Sequence, residues 1–106
     1  MFLFYGCATP HKGMYYWGDY SNLLYKYKRG LTQESLDLYL AELHNIIEKS
    51  NQLNLRVPPG IYAELGFNYA ERGNNDEAIK YFTLEKITYP ESTKLMNSLI
   101  TNLNQN

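Results

Sequence analysis

Between Pro59 and Pro90 the chain reads PGIYAELGFNYAERGNNDEAIKYFTLEKITYP, and the spacing inside this stretch admits few folds. Leu65 and Tyr69, four residues apart, share one side of a helix with Ile61 and Tyr62 a turn earlier. Gly66 carries no side chain on that surface, so the backbone of a partner helix can approach closely there. Arg72-Gly73-Asn74-Asn75 interrupts the period: Gly73 or Asn74 suits a left-handed helix end, and Asn75 suits the cap of a following helix. Asp76 and Glu77 then complement the positive end of that helix's dipole. Ala78 and Phe82 continue the helical spacing, and Pro90 stops the unit because it cannot extend the hydrogen-bond ladder. The stretch predicts a helical hairpin.

Counted from Pro59, Tyr62, Leu65, Gly66, Tyr69, Ala78, Phe82 and Pro90 fall at positions 4, 7, 8, 11, 20, 24 and 32. This order resembles the tetratricopeptide repeat (TPR), which has Trp, Leu-Gly, Tyr, Ala, Phe and Pro in those places. Tyr62 stands where the repeat has Trp, and Glu85 stands where a small residue is usual. A weaker copy precedes it. Counted from Trp17, Tyr20 falls at position 4, Leu23 and Leu24 at 7 and 8, Tyr27 at 11, Leu36 at 20 and Leu40 at 24. Leucines replace Gly and Ala at the close-contact places, which predicts a more widely spread helix pair.

In this first pair Arg29-Gly30 ends one helix and Thr32 caps the next, with Glu34 in its first turn. The second helix is expected to bury Leu36, Leu40, Leu43 and Ile47, flanked by Tyr39 and Ile46, and to run to about Asn54 before Val57-Pro58-Pro59. After Pro90 a last helix from Glu91 or Ser92 should bury Leu95, Met96, Leu99, Ile100 and Leu103 and fray from Thr101. Lys94, Asn97, Ser98, Thr101 and Asn102 give it the polar outer face that a solenoid cap needs. The expected fold is all-α: a TPR-like α-solenoid of two helical hairpins plus a C-terminal capping helix, right-handed, with 15–106 as one domain and 1–14 as residual signal and tether.

A chain of 106 residues with net charge −1 offers no basic excess for nucleic acid. One cysteine excludes an internal disulfide, and two distant histidines argue against a metal site; no cofactor is expected. His44, between Leu40 and Ile47, reads as a packed or edge residue, and His11 as a solvated one. No run approaches the roughly 20 apolar residues of a membrane span.

Phe4-Tyr5-Gly6-Cys7 resembles the end of a bacterial lipoprotein signal, with cleavage after Gly6 and acylation of Cys7. Only six non-basic residues precede Cys7, fewer than an n-region and apolar stretch require. The expectation is therefore a start upstream of Met1; the alternative is an unprocessed free thiol. Two or three acyl chains anchor stably at about 0.8 kcal/mol per CH₂. Ala8, in place of an acidic residue, implies the outer membrane.

Tyr15-Tyr16-Trp17-Gly18-Asp19-Tyr20 forms an aromatic cluster, expected to pack rather than to bind sugars or bases. By repeat position a partner-binding groove would carry Tyr25, Lys28 and Arg29, then Ala63, Phe67 and Ala70 with Glu64 and Glu71 at its flanks, suited to a protein or peptide segment, while exposed aromatics could equally make a homo-oligomer. Cys7-Ala-Thr, Tyr16-Trp-Gly-Asp-Tyr-Ser21, Val57-Pro-Pro-Gly60 and Tyr62-Ala-Glu-Leu-Gly66 together are similar to a family of short Gram-negative lipoproteins of unknown function. Its members tend to be encoded beside a lipoprotein similar to the curli secretion pore. The resemblance implies an envelope complex and no particular activity.

Three functions are thus expected in order. The first is a non-enzymatic, lipid-anchored, periplasm-facing adaptor for envelope proteins, as a secretion or surface-assembly accessory or a peptidoglycan-synthase activator. The second is a cytoplasmic TPR or chaperone-like module without an anchor. The third is a cell-wall hydrolase using Glu64 and Glu71. Those two residues are two helical turns, about 10.5 Å, apart along one helix, which is at or beyond the long end of glycosidase spacing.

Overall fold

The structure is a computed structural model that describes residues 14–105. Cys7 and His11 lie outside the described residues. Among them the regular elements are all helical: α1 (Tyr20–Gly30), α2 (Gln33–Gln52), α3 (Ile61–Glu71), α4 (Asn75–Thr88) and α5 (Thr93–Asn104), with a 3-10 turn at Pro90–Ser92. The chain divides between Pro58 and Pro59 into two compact units. The first holds α1 packed on α2; in the second, α4 packs on both α3 and α5. This is the all-helical, TPR-like arrangement of hairpins with a C-terminal helix that the repeat spacing predicts. No described helix is long and apolar enough to cross a membrane.

In the first unit α1 ends as expected at Gly30, but the left-handed residue is Leu31, with φ 50°, whose N–H donates to the Tyr27 carbonyl at 2.7 Å. Thr32 caps α2 reciprocally with Ser35: the Thr32 hydroxyl accepts the Ser35 N–H at 3.0 Å, and the Ser35 hydroxyl accepts the Thr32 N–H at 3.2 Å. The buried face of α2 consists of Tyr39, Leu43, Ile46 and Ser50. The expected stripe is therefore rotated: Tyr39 and Ile46 are its centre, and Leu36, Leu40 and Ile47 are half-buried margins. The cause is aromatic. Tyr39 stacks on Tyr27 at 6.0 Å with planes 8° apart and meets Tyr20 at 6.1 Å, so its ring occupies the middle of the hairpin. α2 ends two residues before the expected Asn54, which is itself left-handed at φ 57°. The Leu55 N–H then returns to the Ser50 carbonyl at 2.8 Å, closing a Schellman-type end.

The second unit follows the repeat more closely. Gly73 takes the left-handed turn at φ 80°. Asn74 rather than Asn75 caps α4, its side chain accepting the Glu77 N–H at 3.4 Å, because the turn closes one residue sooner than expected. Ala63, Ala78, Phe82 and Met96 form a core, with Tyr69, Ala70, Leu99, Ile100 and Leu103 against it, so Ala63 and Ala70 turn inward instead of lining the expected groove. A Cβ at Gly66 would lie 2.5 Å from the Phe82 ring, so the close approach expected there is made by an aromatic ring and not by backbone. Leu95 does not join the core stripe; it is 58% exposed, a helical step of about 100° away from buried Met96. α5 continues to Asn104 instead of fraying at Thr101, and its polar residues Lys94, Asn97, Ser98, Thr101 and Asn102 are exposed.

Glu85, the departure from the repeat, explains how α3 begins. Gly60, at φ 94°, leaves the start of α3 without a side-chain cap. Glu85 reaches from α4, only 4% exposed, and accepts the Gly60 N–H at 3.0 Å and the Ala63 N–H at 3.3 Å. A carboxylate thus replaces the missing cap and meets the positive end of the α3 dipole. The first hairpin has a counterpart: Glu42 of α2 accepts the Asp19 N–H at 2.8 Å, just after Gly18 at φ 53°. A side chain on Gly18 would run into the Glu42 carboxylate. In both hairpins the second helix caps the first.

Candidate functional site

The anticipated site residues resolve into two helix faces, one on each unit. On α1, residues 25, 28 and 29 sit about one turn apart, so Tyr25, Lys28 and Arg29 share the side opposite Leu23 and Tyr27. Tyr25 is 59% exposed, and Lys28 and Arg29 are exposed. Arg29 lies over the Tyr25 ring at 5.6 Å while its Nη1 donates to the Tyr25 hydroxyl at 3.0 Å. The pair fixes the guanidinium along the helix. Residues 20 to 30 hold three cations (Lys26, Lys28, Arg29) and no carboxylate.

On α3, Glu64, Phe67 and Glu71 recur at three and four residues and share another face. Phe67 is 47% exposed, and its ring meets Phe82 edge-to-face at 5.3 Å. Because Phe82 is locked in the core, Phe67 is a supported aromatic rather than a loose one. Glu64 is half-buried and Glu71 exposed, so the ring is flanked along the helix by carboxylates. Glu64 and Glu71 lie two turns apart along the helix, with the Phe67 ring between them.

Beside this face α3 and α4 carry a tyrosine stack that the sequence reading missed. Tyr81 lies against Tyr69 at 5.5 Å with planes 1° apart and against Tyr62 at 6.2 Å. Lys80 sits 5.2 Å over the Tyr81 ring. Partial burial pushes the Tyr62 hydroxyl above its ordinary 10.0, with Glu85 adding to the shift. Burial does the same to Tyr81, helped by Tyr69, Glu77 and Tyr62. The seven-residue spacing of Tyr62 and Tyr69 was the available signal, since it places both rings on one face two turns apart.

The aromatic cluster ahead of α1 packs as expected, Tyr15 against Trp17 at 6.4 Å and Trp17 against Tyr20 at 5.2 Å. A shallow cavity of about 260 Å³ in the first unit is lined by Met14, Tyr15, Asn54, Leu55 and Arg56. His44 is exposed on α2. Among the described residues no group of three or more His, Cys, Asp or Glu side chains is placed to hold a metal ion. The lipidation candidate, Cys7, falls outside the described residues.

A family model described as a domain of unknown function, DUF4810, matches residues 14–99, from the start of the aromatic cluster into α5. No curated protein and no solved structure gives a significant match. The match takes in both hairpins and most of the last helix, together with both candidate faces. This small all-α chain belongs to the DUF4810 family.

Proposed function

We propose that the chain is a lipid-anchored, periplasm-facing adaptor that holds an envelope protein through the Phe67 face of α3. The observation that carries this reading is Phe67 itself: nearly half exposed, braced by Phe82, and flanked by Glu64 and Glu71. A rigid aromatic with a polar rim is the usual form of an interface anchor. The flanking carboxylates favour a partner segment with an apolar side chain between Lys or Arg residues. Cys7 supplies the membrane address in this reading, through acylation at the Gly6-Cys7 junction. The protein then works at the outer membrane as an accessory to secretion, surface assembly or cell-wall synthesis.

The test is a photo-crosslinking amino acid placed at residue 67, with the same probe at the exposed residue 87 of α4 as a control. The expected result is a discrete envelope adduct from residue 67 alone, lost when Glu64 and Glu71 are both changed to Lys. Equal adducts from both positions, or none from residue 67, would remove the Phe67 face from the account.

A further inference from the structure

We infer that the exposed face of α1, with Tyr25, Lys28, Arg29 and Leu31, docks on an anionic phospholipid surface. Leu31 leads the argument. It is 70% exposed, above every other exposed large apolar side chain among the described residues. It also holds a left-handed backbone at φ 50°, although Gly30 beside it would adopt that conformation without a Cβ penalty. The fold therefore displays a leucine, at some conformational cost, at the tip where Lys28 and Arg29 emerge.

The surrounding chemistry matches a lipid interface. α1 carries three cations and no anion, and its Tyr25 presents an apolar ring with a polar edge between them. The Arg29–Tyr25 contact holds cation and ring together on one face. A single helix face is convex and suits a flat surface better than an extended peptide, which needs a groove. The choice of membrane over another acidic surface rests on the anchored reading. Tyr20 follows Cys7 by 13 residues, a reach of at most about 45 Å when extended. An acylated Cys7 would hold α1 at high effective concentration beside the headgroups.

The test uses the full chain with Cys7→Ser, so that no acyl chain contributes. Its partitioning is measured by sedimentation with vesicles of phosphatidylglycerol and phosphatidylcholine, and with vesicles of phosphatidylcholine alone. Each basic side chain near an anionic surface is worth about fivefold. Binding to the anionic vesicles should exceed that to neutral ones by at least roughly tenfold and weaken with salt. Lys28→Glu with Arg29→Glu should abolish that preference. Leu31→Gly, which suits the left-handed backbone and so preserves the fold, should reduce binding as well. Equal partitioning to both vesicles would overturn the inference. So would undiminished binding by the charge-reversed variant, or capture by an acidic polypeptide with none by anionic vesicles. Because this protein lacks Cys7, a failed anchor and a failed α1 surface give different results.

Discussion

The Glu85 carboxylate and the Gly60 backbone N–H are 3.0 Å apart, although 25 residues separate them in the chain. The same carboxylate takes the Ala63 N–H, so one buried side chain closes the start of α3. Glu85→Ala leaves both donors without a partner and should destabilise the protein by about 2–3 kcal/mol. Glu85→Gln keeps an accepting oxygen and should recover part of this. Denaturant titration followed by helical circular dichroism measures both. An unchanged midpoint in Glu85→Ala would mean that water caps α3 as well as the carboxylate does.

Gly66 and Phe82 form a matched pair. A methyl at Gly66 would overlap the ring, so Gly66→Ala should cost about 1–3 kcal/mol through overpacking. Phe82→Leu alone should also destabilise, by opening a cavity. Combined, the two changes should cost less than their sum, because the smaller side chain makes room for the methyl. Simple additivity in that double-mutant cycle would contradict the contact.

Tyr62 and Tyr81 set an alkaline limit on the second unit. Both hydroxyls lie above their ordinary value because burial disfavours the phenolate. A folded-state value above the unfolded one means that the contribution is fully present below the unfolded value of 10.0 and is lost as pH rises through the raised folded values. Stability should therefore fall above about pH 10. Tyr62→Phe and Tyr81→Phe should each flatten that fall in unfolding midpoints measured across the alkaline range.

Ser50 is fully buried, and among the described residues its hydroxyl has no hydrogen-bond partner. An isolated buried hydroxyl contributes nothing to offset its desolvation, so Ser50→Ala should leave stability unchanged or raise it by up to about 1 kcal/mol. A loss larger than that, read by thermal or denaturant unfolding, would mean that the hydroxyl is bonded in solution.

The Pro59–Pro90 hairpin is legible in the sequence because its decisive residues are small or rigid. Gly66, Ala78 and Phe82 fit one another in few ways, and Gly73 marks the turn. The first hairpin was legible in its helices but not in its buried face. Apolar counting ranked leucines above Tyr39, whereas a tyrosine that stacks on Tyr27 and meets Tyr20 takes the centre. Glu85 read as a fault in the repeat because a carboxylate's burial depends on backbone donors brought from another helix. Leu31 was invisible for a different reason: with Gly30 beside it, nothing in the residue order indicates which of the two turns left-handed. The spacing assigned Tyr25, Lys28, Arg29, Glu64, Phe67 and Glu71 to one groove, whereas helical geometry groups the first three on a face of α1 and the last three on a face of α3.

The most direct test of the anchored-adaptor account is an intact mass of the N-terminal peptide, after expression with the upstream in-frame codons in a Gram-negative host. The account predicts a peptide that begins at Cys7 and carries a diacylglyceryl group. An unmodified chain that still begins at Met1 would contradict it and direct the search for a partner of the Phe67 face to the cytoplasm.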